Sequence, residues 1–301
     1  MTVAAVPVPP VPHEAVRLGS EHAEACVGLS AAAGWAHTAA DWRCRLAVGI
    51  GHGVMADGRL VAAGIAFPAA PLCGWFGMLL VDPEHRGQGL GAAVTEAAAL
   101  DLERLGLGVL ALFAVPKAVP LYRRLGFRPI GTLASFQRAE APAGPVGTFD
   151  GARLRRVQAG DCARLFALDR GAYGADRSAM LDDQIARFPE LALVAEDAQG
   201  FAGYGLAARR GDLGVVGPVV ARNAGAAVAL VDGLARGLPR AVRLDSLMIE
   251  GTDRTLFHGA LAARGFTLRT EIPLMVRGPW AGGPPFGDPS ALYVAQSAAA
   301  G

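Results

Sequence analysis

A repeat with a constant spacing runs through this chain and limits the folds that it can adopt. Three features of the first half recur 139 residues later: a glycine in a strand-like segment, a valine that ends an apolar run, and a Gly-Phe pair. They are Gly64 and Gly203, Val81 and Val220, and Gly126-Phe127 and Gly265-Phe266. Since the order of strand-like and helical segments is also shared, we interpret the repeat as a duplicated unit; the alternative is coincidence, because glycine and valine are common here.

The length and composition fit two domains. A chain of 301 residues that is 52% apolar can form two cores of about 150 residues each. Residues 140–151 are rich in proline and glycine and lack any periodicity, which is typical of a linker. We therefore predict a flexible tail at 1–14, a first domain at 15–139, a linker at 140–151 and a second domain at 152–301. The tail contains prolines and no Lys or Arg, which does not predict a signal peptide.

Charge and cysteine content exclude several classes of partner. The formal net charge is +1 and no block of like charge occurs, so nothing electrostatic predicts binding to nucleic acid or to a membrane surface. No apolar stretch approaches the roughly 20 residues of a membrane span. The four cysteines are dispersed, without a CxxC pair or a histidine at ligand spacing. This pattern predicts reduced thiols in a cytoplasmic protein, and no metal site.

Apolar patterns predict alternating strands and helices in a mixed α/β fold. In the first half, helices are expected at 21–33, 92–105 and 118–125. Strands are expected at 54–56, 60–67, 75–81 and 107–115, and from Phe127 onward. The run 75–81, WFGMLLV, is apolar throughout and indicates a buried central strand.

The segment 86–91, RGQGLG, which we call the glycine loop, joins that central strand to an alanine-rich helix. Glycines allow close approach of the backbone to a ligand, and the helix start offers unpaired N–H groups and a positive dipole end. This combination favours a pyrophosphate site, to which Arg86 adds a positive charge. The glycine spacing is neither G-x-G-x-x-G nor G-x-x-x-x-G-K-[ST], and no acidic residue follows at 109–115 to bind a ribose. A glycine-rich turn without a ligand is the remaining alternative.

VDPEHRGQGLG resembles the R/Q-x-x-G-x-G/A motif of the GNAT acyltransferases, with Arg86, Gly89 and Gly91 at the pattern positions. PLYRRLGF resembles a later motif of that family, a helix with a tyrosine before L-G-F. AGWAHTAADWRCRL and FAVPKAVPLYRRLGF further resemble a bacterial group of two-domain GNAT proteins with a degenerate second unit. One departure is Ala36, where many members have Asn after the Gly-Trp pair.

The resemblance implies two tandem domains, each with a mixed, mostly antiparallel sheet flanked by helices. It implies transfer of an acetyl group from acetyl-CoA to a primary amine of a small molecule by direct attack. The implied coenzyme A contacts are Leu79, Leu80, Val81, Arg86, Gly87, Gln88, Gly89, Leu90, Gly91 and Ala92. The amides of Leu79 and Leu80 would polarise the thioester carbonyl. Tyr122 would hydrogen-bond or protonate the leaving thiolate, although a core tyrosine is the alternative interpretation.

The sequence offers several candidates for the general base and for the residues that contact the acceptor. The central strand carries no ionisable side chain, so the base candidates are His37, Asp41, Glu84, His85 or a chain of waters. Trp35, His37 and Trp42 are candidate acceptor contacts, although a tryptophan is more often a core anchor. A non-catalytic acyl-CoA-binding protein or sensor is the alternative function, and an enzyme that modifies protein N-termini or lysines is a further one.

The second half of the repeat lacks the features of the first. Between the matched valine and the matched alanines, the first copy has the ten residues 82–91 and the second has the five residues 221–225. Leu261 stands where Tyr122 stands in the first copy. We therefore expect one coenzyme A site per chain, with monomer and homodimer both open. Several polar residues of the second half face either an acceptor cleft or solvent: Tyr173, Asp176, Arg177, Arg209 and Arg210.

Overall fold

The computed structural model describes residues 13–69, 73–140, 153–279 and 287–296. The chain forms two compact units. Unit 1 takes its residues from Met1–Ile130 and Pro273–Ala281, and unit 2 from Gly131–Ile272 and Gly282–Ala299. Apart from Glu140, the predicted linker lies outside the described residues, as does most of the predicted tail. The predicted domain limits therefore stay a prediction.

Unit 1 contains a sheet with helices on its faces. Its elements are β1 (Val16–Leu18), α1 (Ala23–Ala32), α2 (Ala39–Val48), β2 (Ile50–Ala56), β3 (Arg59–Ala69), β4 (Cys73–Val81), α3 (Leu90–Arg104), β5 (Leu110–Phe113) and α4 (Val119–Arg124). The strand order is β1-β2-β3-β4-β5, and all neighbours are antiparallel except the parallel pair β4–β5.

Unit 2 has the same design. Its elements are β6 (Arg128–Arg138), β7 (Arg153–Arg156), α5 (Cys162–Tyr173), α6 (Ser178–Arg187), β8 (Ala192–Asp197), β9 (Gly200–Arg210), β10 (Leu213–Ala221), α7 (Ala224–Arg236), β11 (Ala241–Ile249), α8 (Thr255–Ala263), β12 (Thr267–Arg277) and β13 (Leu292–Val294). The order is β6-β11-β13-β10-β9-β8-β7, with one parallel pair, β10–β11. The predicted fold class, a mixed and mostly antiparallel sheet flanked by helices in each unit, is confirmed.

The last strand of each unit comes from the other half of the sequence, which the sequence did not predict. Residues 274–277 of β12 pair with β5 in unit 1, and residues 131–138 of β6 pair with β11 in unit 2. Two arginines 139 residues apart make matching contacts there. Arg277 lies over the ring of Phe127 at 5.5 Å, and Arg138 lies over the ring of Phe266 at 4.9 Å. Each is a cation–π contact that adds to burial of the arginine stem.

The observed elements differ at their ends from those predicted. Helix α1 is preceded by a 3-10 turn at Ser20–His22, so it is shorter than 21–33. Strand β5 covers only Leu110–Phe113 of the predicted 107–115. Helix α3 begins at Leu90, two residues before the predicted start, so Leu90 and Gly91 belong to its first turn.

Candidate functional site

The parallel strands β4 and β5 separate soon after they meet. They pair only at Gly74 with Leu110 and at Trp75 with Ala111. Further along β4, Met78 is buried and has a φ of +57°, and the register with β3 shifts at the same level. A left-handed, non-glycine residue inside a strand is a costly conformation typical of a β-bulge. In the described chain the last six residues of β4 thus have no neighbouring strand on the β5 side.

The connection from β4 to α3 is a glycine-rich loop of eight residues, 82–89, at the end of this gap. Asp82 accepts a hydrogen bond from the amide of Glu84 (2.9 Å), which is the main reason that its pKa lies below the usual range. Gly87 and Gly89 have φ values of +79° and +86°, and a Cβ on either would meet nothing within 4 Å. Conformation, and not lack of space, therefore requires glycine at both positions.

The first turn of α3 offers backbone donors beside this loop. Gly89 is the N-cap residue, and no side chain caps the first turn of the helix as described. The first amides of an α-helix have no acceptor within the helix and lie at its positive end. Arg86 is exposed, and its Nε donates to the carbonyl oxygen of Val81 (3.3 Å). The connection and the helix start together form a surface suited to an anion.

Strand β4, α3 and α4 converge at Gly91. A Cβ on Gly91 would lie 3.2 Å from Leu121, 3.7 Å from Leu79 and 3.8 Å from Val81. The remaining predicted cofactor residues fall around this point: Leu80 is buried, Leu90 is buried, Ala92 is half-buried, and Gln88 is exposed in the connection. The structure therefore brings the whole predicted cofactor set together at one end of unit 1.

The equivalent connection in unit 2 is much shorter than the sequence comparison suggested. Only Arg222 and Asn223 separate β10 from α7. The guanidinium of Arg222 bonds to the side chains of Asp197 and Gln199 and to the carbonyl oxygen of Phe201 (2.8 Å). The helix start is capped as well, because Asn223 Oδ1 accepts from the amide of Ala226 (2.9 Å).

The gap between the parallel strands is also filled in unit 2. Strands β10 and β11 pair over Leu213–Val216 and then separate at a register shift that includes Gly217, the residue 139 positions after Met78. The short strand β13 lies in this gap. It pairs with β10 through Leu292 and Val294 and with β11 through Val294.

Arg254 holds the segment that leads into β13. Its Nη atoms donate to the carbonyl oxygens of Pro289 (2.6 Å), Ser290 (3.0 Å) and Leu292 (2.9 Å), and it lies 4.2 Å from the ring centroid of Tyr293. The chain itself thus occupies in unit 2 the gap that none of the described strands occupies in unit 1.

Tyr122 lies on α4 and is only 5% exposed. Its ring packs edge-on against Phe127 at 5.5 Å, in a core cluster that also includes Leu79 and Val81 at its margin. Burial raises the pKa of its phenol far above the usual value, so the hydroxyl stays protonated at ordinary pH. Its counterpart Leu261 is fully buried in the corresponding cluster of unit 2.

The predicted acceptor residues gather in the connection between α1 and α2. His37 lies between two tryptophan rings, 5.4 Å from Trp35 and 6.4 Å from Trp42. Trp42 is fully buried, and its Nε1 donates to Ser30 Oγ (2.9 Å), as a core anchor does. Trp35 and His37 are half-buried and so are the members of this group that a ligand can reach.

Asp41, one of the candidates for the general base, has a structural role. It is buried, and its Oδ2 accepts from the amide and the hydroxyl of Thr38 (both 2.9 Å) at the start of α2. Of the other candidates, Glu84 is exposed and His85 Nδ1 lies 3.3 Å from Asp82 Oδ1. Helix α2 itself was not predicted, although Thr38 and Asp41 have the spacing of a capping box.

The polar residues noted in the second half bond within unit 2. Arg177 forms a buried ion pair with Asp169 (2.8 Å), a residue that the sequence did not single out, and stacks on Tyr173 at 4.1 Å. Asp176 pairs with Arg170, and Arg209 pairs with Glu190. These contacts favour structural roles, and Arg210 lies at the end of β9.

None of the four cysteines forms a disulfide. Burial raises the pKa of Cys26 and Cys73 to about 12, which makes both thiols poor nucleophiles. The described residues contain no group of three His, Cys, Asp or Glu side chains that could hold a metal ion. None of the described helices is long and apolar enough to cross a membrane.

Comparison with known proteins agrees with this geometry. Two family models, each described as acetyltransferase (GNAT) domain, match residues 49–129 and 165–283. The uncharacterized N-acetyltransferase YitH of Bacillus subtilis is 26% identical over 199 residues, which cover 66% of this chain and 68% of that protein.

Solved structures share the fold over nearly the whole chain. A putative acetyltransferase from Pyrococcus horikoshii has a TM-score of 0.73 at 16% identity, over 100% of this chain and 99% of that one. A tandem GNAT protein from the clavulanic acid biosynthesis pathway has a TM-score of 0.61 at 17% identity, over 89% of this chain and 99% of that one. With both of its halves matched, the chain belongs to the GNAT superfamily of acetyltransferases.

Proposed function

We propose that this protein transfers an acetyl group from acetyl-CoA to a primary amine of a small molecule, at one site in unit 1. The observation that supports this most is the contrast between the units. In unit 1 no described strand fills the gap beside the last six residues of β4, which we call the slot, and α3 begins without a side-chain cap. In unit 2 the corresponding gap contains β13 and the helix is capped by Asn223.

In this proposal, the coenzyme A pyrophosphate lies on the amides from Gly87 to Ala92, where the helix dipole and Arg86 favour negative charge. The pantetheine arm runs along the free side of β4, next to the backbone of Leu79, Leu80 and Val81. This placement uses strand amides and carbonyls that have no neighbouring strand on that side of the described sheet.

The reaction is a direct displacement. The amine nitrogen attacks the thioester carbonyl carbon, the C–N bond forms, and the C–S bond breaks. The amides of Leu79 and Leu80 stabilise the oxygen as negative charge develops on it. Tyr122 donates a proton to the departing thiolate, and its protonated state at ordinary pH suits this role. The raised pKa values of Cys26 and Cys73 argue against an acyl-cysteine intermediate on those thiols.

The amine must lose a proton during the reaction. Residues 75–81 of β4 carry no ionisable side chain, and the carboxylate of Asp41 is engaged at the start of α2. The proton therefore goes to water in the open slot or to His37, which lies half-buried beside Trp35. Trp35 and His37 are our candidate acceptor contacts. Trp42, packed in the core, orients His37 through its ring.

Two measurements on the full chain test the proposal. Calorimetry with coenzyme A should give a stoichiometry of one per chain, and acetyl-CoA should release free thiol when a suitable amine from a panel is added. A stoichiometry of two would contradict the assignment of the site to unit 1. Tight binding without thiol release for any amine, peptide N-terminus or lysine would instead favour a non-catalytic acyl-CoA-binding protein, which the lack of an ionisable side chain at residues 75–81 also permits.

A further inference from the structure

Two aromatic rings close the narrow end of the slot between β4 and β5. Trp75 is the last residue of β4 that pairs with β5, and Phe113 is the last residue of β5. Their ring centroids are 5.5 Å apart, the rings are tilted by 32°, and the two residues are 2% and 9% exposed. Residues alternate between the faces of a strand, and the neighbours Phe76 and Leu112 belong to the core under α3. Trp75 and Phe113 are therefore on the opposite face.

The direction of β4 determines which part of a bound thioester meets these rings. The glycine-rich connection follows the C-terminal end of β4 at Val81, whereas Trp75 lies six residues earlier. At about 3.3 Å per residue this is a distance of about 20 Å along the strand. A molecule held by its pyrophosphate at the connection and extended along β4 therefore points its far end, the acyl group, toward Trp75 and Phe113.

The aromatic pair is specific to the unit with the open slot. In unit 2, Val215 and Asp245 occupy the positions of Trp75 and Phe113. The strand pairings fix this match, because Asp245 pairs with Ser135 and Phe113 pairs with Leu274, which follows Ser135 by 139 residues. Strands β10 and β11 pair over four residues, whereas β4 and β5 pair over two. Since unit 2 folds with Val and Asp at these positions, the duplicated fold does not itself require two large rings there.

We propose that Trp75 and Phe113 form the end wall of the acyl slot and set the longest acyl group that the slot accepts. This inference rests on the proposed function. The rings are packed against each other in the described structure, so an acyl chain that reaches them has to displace one of them. With the thioester carbonyl beside Leu79, the wall lies four residues, or about 13 Å, further along β4. Chains from acetyl to octanoyl end before this distance, whereas a tetradecanoyl chain exceeds it.

The test uses the full chain and a series of coenzyme A thioesters from acetyl to tetradecanoyl, with binding measured by calorimetry and turnover by thiol release. The wild-type protein should bind tetradecanoyl-CoA at least tenfold more weakly than octanoyl-CoA. Phe113→Ala should reverse this preference, because each further methylene that finds an apolar space raises affinity by about fourfold. Affinity for coenzyme A itself should be unchanged. If Phe113→Ala does not fold, the smaller changes Phe113→Leu and Trp75→Phe replace it in the same measurements.

Phe76→Ala is the matched control. Phe76 is as buried as Trp75 and adjacent to it in sequence, but it packs in the core under α3. It should lower stability by a similar amount and leave the acyl preference unchanged. If the wild-type protein does not bind coenzyme A, the proposed function fails. If it binds and every wall variant keeps the wild-type preference, or if Phe76→Ala shifts the preference equally, only the present inference is overturned.

Discussion

Replacing Gly89 by alanine should weaken coenzyme A binding without unfolding the protein. Gly89 has a φ of +86°, and an added Cβ would meet nothing within 4 Å, so the substitution introduces conformational strain and no clash. A left-handed conformation costs a residue with a Cβ about 1–2 kcal/mol. The variant relieves this strain by turning the loop away from the conformation that presents the amides.

Coenzyme A binding must then restore the strained conformation of the loop. The free energy of binding therefore becomes less favourable by the same amount. A loss of about 1–2 kcal/mol corresponds to a dissociation constant raised by about 5–30-fold. Calorimetric titration with coenzyme A measures this directly. Turnover at low acetyl-CoA should fall by the same factor, whereas turnover at saturating acetyl-CoA should change little, because the substitution does not touch the reacting atoms.

Gly58→Ala provides the matched control. Gly58 lies between β2 and β3, has a φ of +74°, and also has open space around its Cβ position. The two variants should lose similar stability in thermal unfolding, but only Gly89→Ala should lose affinity. Wild-type affinity in Gly89→Ala, or an equal loss in Gly58→Ala, would refute the assignment of the pyrophosphate site to this loop.

Three further predictions follow from the site. Tyr122→Phe should lower turnover by at least tenfold while coenzyme A affinity stays within about twofold, and a variant with wild-type turnover would remove the proton-donor role. Because burial in the folded state raises the pKa of Tyr122, the wild-type protein should lose stability relative to Tyr122→Phe as the pH rises above about 10. A difference in free energy of unfolding between the two proteins that stays constant from pH 8 to 11 would contradict this. Arg254→Met leaves four carbonyl oxygens without their donor, three of them in the segment that leads into β13, and should lower stability by about 3–5 kcal/mol, with Arg254→Lys intermediate. Denaturant unfolding that shows a loss of less than about 1 kcal/mol would mean that Arg254 does not hold β13.

The sequence predicted the parts of this protein that depend on local chemistry. The glycine loop was recognisable because positive φ values at Gly87 and Gly89 restrict the residue type. The duplication was recognisable because the same residue types recur at one spacing. The buried run 75–81 was recognisable because both faces of β4 are covered. In each case the residue type at one position was enough to indicate the local structure.

The parts that the sequence did not predict depend on choices between equivalent partners. Residues 131–138 and 274–277 form the last strand of the two copies of one unit, so each of these strands fits either sheet. No residue type in the sequence indicates which strand joins which sheet. The matching contacts of Arg138 and Arg277 show how similar the alternatives are. Strand β13 is three residues long, which is too short for its periodicity to be recognised.

The two units differ in what satisfies the backbone groups beside their separating parallel strands. Separation of two parallel strands leaves backbone amides and carbonyls without strand partners, and buried groups of this kind have to be satisfied. Unit 2 satisfies them with β13, whose approach is fixed by Arg254. In our proposal, unit 1 leaves them to the pantetheine arm of its substrate. In the same proposal, unit 2 lacks a cofactor site for two independent reasons, a connection of two residues and the strand β13 beside β10. Extending the β10–α7 connection to the length of 82–89 would restore the first feature only, and we expect such a variant still to bind one coenzyme A per chain.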